Sequence, residues 1–167
     1  MRGTGWILAG LATALLTIAN GANAKGADAA KAKRAPYFAS IEARRARMRT
    51  GPGRTYPTTW LYQRADLPVK VLDSYEDWKK IEDPDGTQGW MLSNLISARR
   101  TAMVVGQNLD MLDAPRFGAK VVWRAAPGVV GRLSHCARGW CSFDVHGRSG
   151  YIEANRVWGV EADEMFE

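Results

Sequence analysis

An all-β protein built from two tandem modules is predicted by three observations. From about Ile41 onward the chain carries short apolar alternations broken by Gly, Pro or Asp every 8–12 residues, the texture of small sheets. No long apolar stripe of helical period interrupts them. The chain also repeats itself, with paired motifs 61 to 63 residues apart. The composition agrees: 46% of the 167 residues are apolar and 24% charged, which excludes a fully disordered chain, a collagen and a polytopic membrane protein.

The first element in order is a secretory signal over 1–24. Arg2 precedes an uncharged apolar run from Trp6 to Ile18, and Ala22-Asn23-Ala24 supplies a small-x-small site with cleavage expected after Ala24. Thirteen such residues span about 20 Å as a helix, short of the roughly 30 Å of a hydrocarbon core, so no membrane span is expected after cleavage. The expected compartment is the periplasm or the medium. Next, 25–40 is rich in Ala, Lys and Arg without a sustained apolar period and reads as a flexible basic linker. Residues 25–55 hold nine basic groups against Asp28 and Glu42, although the net charge of the whole chain is only +6. The basicity therefore belongs to one entry segment. Such a stretch attracts polyanions, nucleic acid, anionic lipid or an acidic wall polymer among them, or it is simply a solvated tail. Export argues against nucleic acid.

The two modules are placed at 41–97 and 106–160, joined by Ala98 to Val105 and followed by an acidic tail over 161–167. Copy one reads Met48-Arg49-Thr50-Gly51-Pro52-Gly53, then Trp78-Lys79-Lys80-Ile81, then Gly86-Thr87-Gln88-Gly89-Trp90. Copy two reads Met111-Leu112-Asp113-Ala114-Pro115, then Trp140-Cys141-Ser142-Phe143, then Gly147-Arg148-Ser149-Gly150-Tyr151. Asp85-Gly86 and His146-Gly147 sit between alternating runs, where a two-residue hairpin needs positive φ. Each module has fewer than 60 residues and buries only a modest core alone, so packing one on the other helps both.

Cys136 and Cys141 flank a turn containing Gly139. In an oxidising compartment they are expected to form a disulfide, closing a loop of about six residues worth about 2 kcal/mol. The alternative is a reduced pair buried as small hydrophobes. Enzymatic chemistry finds little support. His135 is adjacent to Cys136 and faces the other way on a strand, His146 belongs to a turn, and a lone Cys-x4-Cys is a weak zinc signal. Neither a cofactor nor a metal is expected, and no phosphate-cradling or dinucleotide motif occurs.

The tryptophans carry the functional interest. With Ile81 and Phe143 facing inward, Trp78 and Trp140 fall on the opposite face, free to stack on a ligand or to cover a neighbouring barrel or loop. Trp90 and Tyr151 are expected to close their modules by packing, and Trp60, Trp123 and Trp158, in apolar surroundings, to build core.

These motifs resemble the bacterial SH3-like family, SH3b. A basic residue and Gly-Pro-Gly follow the first strand, a Trp opens a middle strand, and Gly-x-x-Gly-aromatic closes the barrel. Copy two departs in its first loop, where Asp113-Ala114-Pro115 replaces Gly-Pro-Gly. The resemblance implies two tandem SH3-like β-barrels and a non-catalytic module that binds cell-wall (peptidoglycan) peptide or an envelope protein. A cell-wall hydrolase, or an inhibitor or regulator of one, is the alternative, but the two barrels use almost all residues after the signal and linker. SH3-like topology places Arg54 and Tyr56, from the first loop, in one groove with Trp78. Arg116 and Phe117 take that place beside Trp140, so the first site is expected to be the better one.

Overall fold

Among the described residues strand pairing begins at Tyr37. The structure, a computed structural model, describes residues 34–167, so the expected signal and the expected linker up to residue 33 lie outside the described residues. Within the segment read as linker, Tyr37–Ile41 forms strand β1. It pairs antiparallel with β4 (Pro68–Tyr75) and with the two-residue β7 (Ile96–Ser97). The linker expectation fails there because β1 is covered on both faces and so shows no polar-apolar alternation. Ala39 and Ile41 enter the first core, while Phe38 on the other face meets the second barrel.

The remaining strands of the first module are β2 (Ala46–Arg49), β3 (Thr58–Tyr62), β5 (Trp78–Glu82) and β6 (Gln88–Leu92). The sheet order is β3-β2-β6-β5-β4-β1-β7. The second module repeats it element for element with β8 (Thr101–Val104), β9 (Leu109–Leu112), β10 (Val121–Ala125), β11 (Val130–Ala137), β12 (Trp140–Val145), β13 (Arg148–Glu153) and β14 (Val157–Trp158), in the order β10-β9-β13-β12-β11-β8-β14. Both sheets bend at the same place. The register shifts between Val71 and Asp73 in β4 and between Leu133 and His135 in β11, and such bulges sharpen twist enough to curl a short sheet on itself. Strand β8 lies inside the segment expected to join the modules, so the joint shrinks to residues 98–100.

Met48, Val71, Ile81 and Met91 fill the first barrel, and Met111, Leu133, Phe143 and Ile152 take the matching places in the second. The second glycine of each Gly-x-x-Gly is required by packing. A Cβ at Gly89 would stand 2.6 Å from the Met48 side chain, and one at Gly150 would stand 2.8 Å from Met111, so β6 and β13 cross β2 and β9 closely only without a side chain.

The turns match expectation in one copy. His146 and Gly147 have φ of 53° and 87°, the two-residue hairpin with both central residues left-handed. In copy one, Glu82 pairs with Gln88 and leaves five residues between them. Asp83 organises that longer loop, its carboxylate accepting from the Asp85 and Thr87 amides at 3.1 and 2.9 Å.

The barrels pack on each other. Phe38 and Trp158 meet edge to face with centroids 5.1 Å apart. The Arg100 guanidinium lies 6.0 Å from the Phe38 ring and 4.5 Å from that of Phe166, and donates to the Gly159 carbonyl at 2.9 Å. The acidic tail takes part. Lys70 pairs with Glu161 at 2.8 Å, Arg100 grips Glu164 through both oxygens, and Phe166 forms a β-bridge with Cys136.

Candidate functional site

Strand β2 alternates strictly. Ala46 and Met48 are fully buried, so Arg47 and Arg49 stand on the outer face, with Arg45 preceding them in the same phase. After the strand, the Gly51-Pro52-Gly53 loop provides a seat for the Tyr56 ring. A Cβ built at Gly51 would lie 2.5 Å from that ring and one at Gly53 3.1 Å from it. Arg49 fastens the loop by donating from Nη1 to the Tyr56 carbonyl at 2.7 Å.

This geometry brings Arg54 and Trp78 to one cleft of about 160 Å³, lined also by Arg45, Arg47, Arg49, Leu92 and Leu95. Tyr56 is outside that lining; its ring lies on the glycine loop and is 45% exposed. Trp78 is only 7% exposed, so of the two roles open to it its ring takes that of a covered packing residue at the cleft floor. The sequence reading absorbed Arg45, Arg47 and Arg49 into a general basic stretch. Their period of two around Ala46 and Met48 was the signal that separates a strand face from a charged tail.

The repeat builds the same cleft again in the second barrel, with a volume of about 230 Å³. Trp140 stands where Trp78 does, and Asn108, Asp110, Leu112, Glu153 and Arg156 replace Arg45, Arg47, Arg49, Leu92 and Leu95 at offsets of 63 or 61. Trp140 is half-buried and meets the 76% exposed Phe117 edge to face at 5.2 Å. Arg116 does not line this cleft.

Two tryptophans expected in the core are surface residues. Trp60 is 56% exposed and Trp123 44%, at matching places on β3 and β10, the outermost strands of their sheets; the Arg148 guanidinium lies 5.2 Å from the Trp123 ring. Trp158, also expected to build core, instead covers the joint between barrels. A third cleft, of about 490 Å³, opens between the barrels and is lined by Arg64, Asp66, Arg132, Asp144 and His146 among others.

Cys136 and Cys141 are joined by a disulfide across directly opposed positions of β11 and β12, with Cα atoms 4.1 Å apart. That bond leaves neither sulfur as a thiolate nucleophile. Among the described residues no three His, Cys, Asp or Glu side chains are grouped to hold a metal, and no helix is long and apolar enough to cross a membrane.

Two seven-stranded β modules of one strand order and one motif set define a tandem SH3-like protein, and the chain belongs to the bacterial SH3 domain family, whose model matches residues 42–98 and 105–159. Among solved structures it is similar to two Trichomonas vaginalis proteins, NlpC1 (10% identity, TM-score 0.35) and NlpC2 (9%, 0.35). The alignments cover 76% and 75% of this chain but 47% and 48% of theirs. An NlpC/P60 family protein from Bacillus cereus is similar at 13% identity and TM-score 0.33, over 72% of this chain and 55% of that one. The chain thus spans about half the length of these proteins. No curated protein matches it.

Proposed function

We propose that this protein is a non-catalytic binding module of the bacterial cell envelope, in which the first barrel grips an extended peptide of the wall or of an envelope protein. The observation that carries this reading is the convergence of Arg54 and Trp78, from separate motifs, on one cleft with three further arginines. Membership in the bacterial SH3 family supports a binding role, and the disulfide supports an extracytoplasmic location. Cleavage after Ala24 is part of the same reading; an intact mass beginning at Lys25 in periplasmic or secreted protein tests it.

Binding is tested by calorimetric titration of the mature protein with soluble wall fragments, and by pull-down from envelope extract with identification of what is retained. Saturable binding weakened by Arg54→Ala, in a variant that melts like the parent, supports the proposal. Clearing of cell wall in a zymogram by the purified protein would replace it with a hydrolase.

A further inference from the structure

The two clefts have the same framework and different electrostatics: the first is lined by arginines alone among charged groups, the second by Asp110, Glu153 and Arg156. In the first, four guanidinium groups surround a floor of Trp78, Leu92 and Leu95, and no carboxylate lines the space. In the second, the positions of Arg45 and Arg47 are held by Asn108 and Asp110, and Glu153 enters at the rim. Asp110 there is already paired with Arg124 at 2.5 Å. Among the described residues Arg45, Arg47 and Arg54 enter no ion pair, whereas Lys70, Arg99, Arg100 and Arg124 do. Four like charges around one cleft repel each other; of the four, Arg49 also holds the Tyr56 carbonyl, and the second barrel folds the same way with Asn108 and Asp110 in place of Arg45 and Arg47. Their cost is offset when an anion binds.

We infer that the cleft of the first barrel is a receptor for an acidic, extended segment of a partner protein, with carboxylates at every second residue. This rests on the proposed binding role and names the chemistry of its ligand. Arg45, Arg47 and Arg49 recur with period two on one strand face, a spacing of about 6.8 Å between neighbours. An extended peptide lying along that face presents alternate side chains at the same interval. Guanidinium forks match carboxylates in a two-point geometry, and the aliphatic stems of glutamates rest on Leu92 and Leu95. Single-stranded nucleic acid is disfavoured by the same floor, because bases need an open aromatic face and Trp78 is covered.

The experiment uses the mature protein and a fluorescent dodecapeptide of alternating Glu and Val, read by anisotropy. An isomeric peptide with its six glutamates in one block, polyphosphate, a single-stranded oligonucleotide and a soluble muropeptide serve as competitors. Arg47→Ala and Arg54→Ala each weaken binding by about 3- to 10-fold, and the charge-reversed pair Arg47→Glu, Arg54→Glu removes it. Arg116→Ala, which touches neither cleft, leaves it within about twofold. Affinity falls as salt rises from about 0.05 to 0.3 M. All replaced side chains are exposed, and a melting curve for each variant verifies folding.

Equal binding of the blocked isomer would overturn the strand-register match. Equal competition by polyphosphate or the oligonucleotide would make this a general polyanion site and overturn the peptide assignment. Self-association lost in the charge-reversed variant would mean that a second copy occupies the cleft, which also overturns it. If the muropeptide binds and the acidic peptide does not, the inference fails while the binding role stands. If neither binds and extract yields no partner, both fail.

Discussion

Asp83 illustrates how one side chain holds a loop that the sequence alone presents as a simple turn. Its carboxylate is buried and accepts from the Tyr62 hydroxyl at 2.8 Å besides two loop amides. Burial, foremost, and then Asp83 hold the Tyr62 phenol far above its ordinary pKa, so it remains a donor throughout the working range. Asp83→Ala strands these donors and is expected to cost about 2 kcal/mol in urea unfolding, with Asp83→Asn costing less. The matching residue, Asp144, is held below the usual carboxylate range by the Ser149 hydroxyl at 2.6 Å and then by the Gly147 amide. A depressed carboxylate stabilises the fold above its unfolded pKa, and that contribution is lost as pH falls through the lowered folded value. Asp144 should therefore titrate below an ordinary aspartate by carboxyl-carbon NMR, and Ser149→Ala should move its midpoint upward. Trp78, as a covered ring, belongs with the packing residues: Trp78→Ala is expected to lose about 3 kcal/mol in the melt, so binding losses in that variant follow from unfolding.

At the level of elements, the β11–β12 hairpin and the acidic tail form one unit. Cys136 and Cys141 oppose each other without sharing backbone hydrogen bonds, and Cys136 instead exchanges both of its own with Phe166, at 2.9 and 3.1 Å. The tail over 161–167, read from sequence as an acidic extension, is thereby held beside the disulfide by a single β-bridge. Two consequences are measurable. Replacing both cysteines by serine should cost about 2 kcal/mol on the chain-entropy account, and it should make the tail cleave faster under limited proteolysis. If cleavage is unchanged, the tail is held by Arg100 and Lys70 alone.

For the molecule as a whole, the joint between barrels decides whether there are two folding units or one. Phe38, Trp158 and Arg100 pack across it, and a Cβ at Gly159 would fall 2.4 Å from the Thr101 carbonyl oxygen and 3.2 Å from Pro68. The tight Thr101 contact lies within the second module and fixes Gly159 against β8, while Pro68 is the neighbour that the first module brings to it across the joint. Each module alone has a modest core, so mutual burial should merge their unfolding. Calorimetry of the parent is expected to give one transition, and Phe38→Ala, which empties the joint without touching either core, two. Two transitions in the parent would show that the joint contributes little.

The barrels, their repeat and the disulfide were legible because each is local: an alternation, a glycine pair at fixed spacing, two cysteines about a turn. The spacing of Gly89 and Gly150 is read directly from sequence, while the reason for it, the close approach to Met48 and Met111, exists only once the strands have paired. Period two also located the face of Trp78. Whether that face was covered depended on Arg45, Arg47, Leu92 and Leu95, which are near it only after β2, β5 and β6 pair. Strand β1 was hidden because both its faces are buried, one by its own barrel and one by the other. Trp60 and Trp123 misled for the converse reason: apolar neighbours along the chain say nothing about being outermost in a sheet. Sequence thus settled what each strand prefers to hide. Only tertiary structure decided what covers it, because the covering groups are distant in the chain and brought together by strand order.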